Sequence, residues 1–478
     1  MKYFQWEYID DFGKNFKNLT CSDIIHKNII SYEIKRNDSY ELTMNCLYSD
    51  YDIHQYQQTK KPLGTVEYNN TTANFKNIDG QELSLSGLTI VNLNAKQVDD
   101  GSRKITTQLK VDKLKALVNP SLEPEFFIEW VLNIGLGSYP WPESIETLTN
   151  EELINKIGSQ EPLTFLSNTT SCGSSMSCCH ITIEGIDIYF GKALDCNIDN
   201  TFSPGFILYK GKASDEFRSK FIDALSFMVG SKIIYIGNII LDIEHKIISK
   251  EAITPNTMNG LFFKEPKLPP CSLAESNAIY LLIDKKTIEN FISNFIFKYE
   301  QNEIPHILWL YFHAIIAPIH LQAVCFGAVL EFTQKAYIKK HKSSFSTKLV
   351  TSEKWKEISL SLDNAIENIN EIDESALSIL RNKISNLNNT PQDIQTKRFF
   401  EVIGINLGEI EKNSYKRRHD AAHGNKTPNA DYISLIRENK VLRVMCNRVI
   451  IKILSLSDNY CDFYTLNNPC RNICDPID

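Results

Sequence analysis

The chain has 478 residues, 42% of them hydrophobic and 23% charged, the make-up of an ordinary soluble globular protein with apolar material for two cores. Its net charge of −7 argues against a protein that coats nucleic acid. The opening Met1-Lys2-Tyr3-Phe4-Gln5-Trp6 lacks the basic-then-apolar order of a secretory signal. The most apolar stretch, 304–330, carries His306, His313, Pro318, His320 and Gln322, which suits a buried helix pair rather than a membrane span. A cytoplasmic protein with no membrane partner is expected, its 12 cysteines reduced thiols.

Residues 1–115 read as mainly β. Two strands flank the turn Arg36-Asn37-Asp38-Ser39 within 26–48, and the alternation at 83–91 and 104–111 suits half-buried strands. A short helix is expected at 123–133, where Phe126, Phe127, Trp130 and Val131 recur. Residues 161–268 read as a mixed α/β unit. Ser167 to Ser177 is expected to be a flexible loop, and 180–190 a single alternating strand. Ser214 caps a helix whose first turn holds Asp215 and Glu216. Phe217, Phe221, Leu225 and Met228 form its apolar face, and Gly230 stops it. Strands follow at 232–240 and 243–248.

The paired prolines of Lys267-Leu268-Pro269-Pro270-Cys271 mark a linker. Beyond it the period becomes helical. Ile288, Phe291, Phe295 and Tyr299 start the pattern, which continues through 321–340, 353–369, 375–387, 397–422 and 432–456. The fold expected is α+β, a β-rich and mixed region over 1–270 followed by an all-α bundle over 271–478.

Charge is uneven. Lys335, Lys339, Lys340, Lys342 and Lys348 form one run without an acid, and Lys412, Lys416, Arg417, Arg418 and Lys426 another with only Asp420 opposing. Such runs are often solvated helix faces, but they also hold phosphate backbones. The second run contains Tyr415-Lys416-Arg417-Arg418-His419-Asp420-Ala421-Ala422-His423-Gly424-Asn425, at the end of a helical segment that Gly424-Asn425 can terminate. Arg418 and His423 lie about 140° apart around an ideal helix, so they meet on one phosphate only beside the helix end or in a groove shared with a second subunit. Metal-free RNA cleavage needs a base for the 2′-hydroxyl, an acid for the departing 5′-oxygen and a cation for the pentacoordinate phosphorus. Histidine and arginine supply these.

Arg418-His419-Asp420-Ala421-Ala422-His423 resembles the R-x4–6-H motif of HEPN-superfamily ribonucleases, in which a polar residue commonly follows the arginine. The helical pattern from about 285 to 456 resembles a HEPN bundle. Residues 127–133, and the block from His180 through the helix at 214–229 to Ile248, are similar to the N-terminal domain of ApeA-type anti-phage defence proteins. The resemblance implies a homodimeric endoribonuclease that needs no metal and no cofactor and leaves cyclic-phosphate ends. In this setting it acts as a toxin in abortive infection, with 1–270 sensing a phage-encoded or nucleotide trigger. Carried over to this chain, Arg418 steadies the phosphate, His423 is the general acid or base and His419 an orienting group. Lys416, Arg417 and Asn425 hold RNA, and Arg417 also satisfies the looser spacing of the motif arginine.

Other readings of the same residues are a charged helix end, favoured by the helix dipole, and a catalytically silent RNA- or protein-binding module. His419 and His423 have the spacing of a zinc-binding pair, but Asp420 stands where zinc enzymes carry Glu and no third ligand is evident. Cys172, Cys178, Cys179 and His180, with Cys196 beyond, and separately Cys461, Cys470 and Cys474, lack the two close ligand pairs of zinc modules, since only Cys470 and Cys474 have a suitable spacing and no second pair accompanies them. His306, His313 and His320 read as core or interface histidines, with Pro318 breaking their helix. There is no phosphate-binding glycine loop of either common type.

Overall fold

The computed structural model describes residues 7, 9, 18–21, 25, 29–49, 71–97, 103–135, 141–157, 163–193, 202–274, 283–341, 345, 348–368, 373–422 and 432–477. They form an α+β protein with two compact units, one of Met1–Pro269 with Leu273–Ile296, the other of Pro270–Ser272 with Phe297–Asp478.

The first unit carries β1 (Asn18–Cys21), β2 (Ile29–Arg36), β3 (Leu42–Ser49), β4 (Thr72–Lys76), β5 (Glu82–Ser86), β6 (Thr89–Gln97), β7 (Arg103–Val111) and β8 (Lys113–Leu117). It continues with β9 (Phe126–Leu132), β10 (Glu143–Ile157), β11 (Leu163–Ile183), β12 (Ile186–Lys192), β13 (Gly205–Lys210), α1 (Asp215–Val229), β14 (Ile234–Leu241), β15 (Ile247–Ile253) and α2 (Lys285–Phe297). Among the described residues, one sheet runs β1-β4-β5-β8-β15-β14-β9-β13-β12-β11-β10 and a second runs β2-β3-β7-β6. Leu42, Met44, Ile105 and Leu109 of the smaller sheet share a dry core with Phe75, Leu83, Leu85 and Leu114 of the larger one, which is why these strands alternate so cleanly. Helix α1 covers the other end of the large sheet, with Phe221 packed edge-on against Phe190 and Tyr209.

The ends of α1 follow the sequence signals. The Ser214 side chain accepts from the Phe217 amide, and Gly230, at φ +70°, returns its amide to Phe227 and Ser226. Four expectations in this unit are corrected. Residues 126–132 are not a helix but the central strand β9, paired with β13 and β14. Both of its faces are covered, so it shows no alternation to distinguish it from a buried helix. The run 83–91 is two strands, because Gly87, at φ +66°, turns the chain from the large sheet into the small one. The run 180–190 is a hairpin turned by Glu184 and Gly185, both at positive φ. Residues 167–177 belong to β11, paired along β10, and are not a loop.

Helix α2 was expected in the bundle but clusters with this first unit. Its buried stripe of Ile288, Phe291, Ile292, Phe295 and Ile296 meets α1, with Phe291 and Phe295 ring centroids 6.3 and 6.4 Å from that of Phe227.

The second unit holds α3 (Ile304–Ile316), α4 (Ile319–Lys340), α5 (Ser352–Glu367), α6 (Glu374–Asn386), α7 (Gln392–Ile403), α8 (Glu409–Ala422) and α9 (Tyr432–Leu454), then a hairpin of β16 (Asn459–Cys461) and β17 (Cys470–Asn472). Pro318 separates α3 from α4 as expected. The expected helix 397–422 is broken by Gly404, whose φ of +70° closes α7. Helices α4, α8 and α9 pack together, and α9 supplies the most buried face, including Val444, Met445, Val449 and Ile450. No helix among the described residues is long and apolar enough to cross a membrane.

Candidate active site

Helix α8 is short and starts just after Gly408, whose amide donates to the Glu411 carboxylate at 2.8 Å. Glu411 also takes the Arg448 guanidinium from α9 and the Ile477 amide from the C-terminal segment. Arg448 donates in addition to the carbonyls of Asn406 and Ile473. Both side chains of this ion pair are sealed, at 0% and 1% exposure, so its charges are met by neighbouring protein groups. Burial pushes the Glu411 carboxyl above its ordinary value, against the pull of Arg448. This pair fixes the first turn of α8 and thereby the direction in which its last turns point.

Arg418 sits in those last turns and is 4% exposed. Its guanidinium carbon lies 3.5 Å from the centre of the Tyr415 ring, one helical turn earlier, and Nη2 is 2.7 Å from Glu331 Oε1 on α4. Gly327, one turn before Glu331, leaves room for the arginine stem. A Cβ there would stand 2.9 Å from Arg418 Cδ. The Tyr415 hydroxyl lies 3.4 Å from Thr396 Oγ1 on α7, and that oxygen is 3.1 Å from Gln334 Oε1 on α4. Burial raises the tyrosine above its ordinary range, so it stays a neutral phenol. Arg418 Nη1 is buried and has no hydrogen-bond partner among the described residues. An unpaired N–H of a buried cation costs on the order of 1–3 kcal/mol. The side chain of Glu331 is 33% exposed, so the pair opens to solvent on the glutamate side.

Of the other residues singled out in the sequence, Lys416 is on α8 and exposed. Arg417 and His419 lie in the same helix, with side chains outside the described residues, as are His423 and Asn425 altogether. The geometry therefore assembles Arg418 with Tyr415, Glu331 and Gly327. None of these three partners was read from the sequence. Tyr415 was accessible to such a reading, being one turn from Arg418, and a glycine inside a helical pattern is a flag for close packing. Glu331 sits on another helix and carries no local signal.

The histidines of α3 and α4 are not core residues: His306 and His320 are exposed and His313 is half-buried, each lying against a ring. His306 lies 4.4 Å from Phe332 between ring centres, and His313 Nδ1 is 2.7 Å from the Trp309 carbonyl. Among the described residues no group of three or more His, Cys, Asp or Glu is disposed to hold a metal ion.

The first unit has a separate cleft of about 730 Å³, lined by Phe127, Glu129, Arg218, Lys232, Tyr235 and Asn238 among others. Arg218 lies 3.7 Å over the Phe127 ring and donates to Glu129 at 2.9 Å, and Tyr209 donates to the same carboxylate at 3.2 Å. Burial nevertheless pushes the Glu129 carboxyl up to about 7, Arg218 offsetting only part of the desolvation.

The folds and this geometry define an α+β protein with a buried arginine centre in a helical unit. Comparison with protein-family models, curated proteins and solved structures finds no match to this chain.

Proposed function

We propose that the helical unit is a metal-independent endoribonuclease acting in anti-phage defence, with Arg418 and His423 as its reacting pair. The reading rests on the likeness of residues 418–423 to the R-x4–6-H motif. One observation supports it: Arg418 is held by Tyr415, Glu331 and Gly327 with Nη1 unpaired among the described residues. A phosphate oxygen is the natural partner for such a nitrogen. In the proposed reaction a histidine takes the proton of the 2′-hydroxyl, whose oxygen attacks the adjacent phosphorus. The 5′-oxygen leaves with a proton from the second acid, giving a 2′,3′-cyclic phosphate and a 5′-hydroxyl. A two-fold dimer would bring two such pairs to one cleft, with exposed Lys416 along the RNA backbone. RNA would displace Glu331 from the guanidinium. The β-rich unit would be the sensor, its cleft beside Glu129 the place for a small trigger.

A second reading, a silent module that binds RNA or a protein, draws on a specific observation as well. Arg418 already has a carboxylate and a ring, as an arginine with a purely structural role would. The test is cleavage of RNA by the full chain in excess chelator. Under the first reading cutting persists in chelator and yields cyclic-phosphate ends, and His423→Ala and Arg418→Ala each lower the rate by at least about 10²-fold with an unchanged circular dichroism spectrum. Cutting that requires added metal, or that survives both substitutions, overturns it.

A further inference from the structure

The C-terminal hairpin sets three thiols side by side. Cys461 on β16 faces Cys470 on β17 in register. The Cys461 amide donates away from the hairpin, to the Pro270 carbonyl at 3.0 Å, while the neighbouring Asp462 amide bonds across to Pro469 at 2.9 Å. Cys461 and Cys470 therefore occupy a non-hydrogen-bonded position of the antiparallel pair. There the α-carbons approach to about 4.5 Å and both side chains stand on one face. That spacing falls within the range a disulfide spans without backbone movement. Cys470 is exposed, Cys461 half-buried, and Cys271, next to the Pro270 carbonyl that meets β16, is buried. The turn between the two cysteines is rigid. Asp462 accepts from the amides of Tyr464 and Thr465, from the Thr465 hydroxyl at 2.6 Å and from Arg471 Nε at 2.8 Å.

We propose that Cys461 and Cys470 form a reversible cross-strand disulfide, a staple closed by peroxide and opened by thiols. The exposed Cys470 thiolate attacks a peroxide oxygen. The S–O bond forms, the O–O bond breaks and water leaves. The Cys461 sulfur then attacks that sulfenic sulfur, the S–S bond forms, and the S–O bond breaks to release a second water. The two thiols lose two electrons and two protons, and hydrogen peroxide is reduced to two waters. Burial pushes the Cys461 thiol up to about 12 and raises Cys470 and Cys271 as well, so the step is slow at neutral pH and answers to sustained oxidant. The staple acts where it matters to α8. The strand leaving Cys470 leads to Ile473 and Ile477, whose backbone groups hold Arg448 and Glu411. This inference does not depend on the ribonuclease reading.

The test treats the full chain with hydrogen peroxide, blocks free thiols with an alkylating reagent and maps disulfides by peptide mass. The expected result is one dominant link between the Cys461 and Cys470 peptides. It should be lost on dithiothreitol, absent in Cys461→Ser, retained in Cys271→Ala, and accompanied by a higher urea midpoint than the reduced chain. In Cys461→Ser, a cysteine-to-serine change that leaves the register intact, Cys470 should instead collect as sulfenic or sulfinic acid at least tenfold more. A dominant link through Cys271 overturns the proposal. So does full alkylation of both hairpin cysteines after prolonged exposure to excess peroxide.

Discussion

Glu129 carries a carboxyl into the middle of a sheet, and its surroundings make the first unit sensitive to pH. Burial sets its folded value at about 7, above its ordinary 4.5. Between these values the folded chain keeps a proton that the unfolded chain has lost, so the folded state binds more protons. The stability it confers is fully present below pH 4.5 and is lost as pH rises through 7, by about 3 kcal/mol in all. Urea midpoints of the first unit should fall over that interval and level off above it. Glu129→Gln should flatten the profile. An equal fall in both chains would assign the effect elsewhere. The same residue-scale logic bears on what sequence reveals. Arg418 can be singled out in the sequence because its neighbours along the chain resemble a motif. Its carboxylate partner cannot, because Glu331 lies on another helix and a salt bridge across a bundle leaves no local trace.

At the scale of an element, α4 matters to the site through an absence of side chain. Gly327→Ala gains helix propensity, about 1 kcal/mol, and drives Arg418 off its rotamer at a similar cost. Stability should therefore stay within about 1 kcal/mol. Cleavage of RNA, under the proposal, should drop strongly, because the added methyl pushes the Arg418 stem and moves its guanidinium off the place where it would meet the phosphate. Thermal melts and a chelator-treated cleavage assay on the same preparation separate the two effects. Loss of both together would make Gly327 a folding residue. Elements were readable where the chain punctuates itself. Ser214 and Gly230 bracket α1, and Pro318 divides α3 from α4. They were misread where burial removes the alternation, as in β9, or where one left-handed residue cuts a continuous pattern, as at Gly87, Gly185 and Gly404. Helix α2 shows a further limit. Its apolar stripe announces that it is buried but not against which neighbour.

For the whole molecule, the two units are separate clusters of contacts, so a substitution inside one is expected to lower the stability of that unit first. The sealed pair of Glu411 and Arg448 belongs to the helical unit. Removing one partner leaves an uncompensated charge, so Glu411→Ala or Arg448→Ala should cost that unit about 3–5 kcal/mol. Far-UV dichroism at the helical band should then show an early step in denaturant that the unsubstituted chain lacks. A single unchanged transition would mean the pair adds little.

The closing contacts of that pair come from Ile473 and Ile477, far downstream of the residues they steady. On the ribosome, residues 409–422 emerge well before those two. A nascent chain must therefore carry the arginine-bearing helix without its anchor until translation has passed 477. Should the proposed ribonuclease reading hold, translation itself withholds a finished arginine-bearing helix from the RNA around it, and a chain stalled short of that point lacks the anchored site.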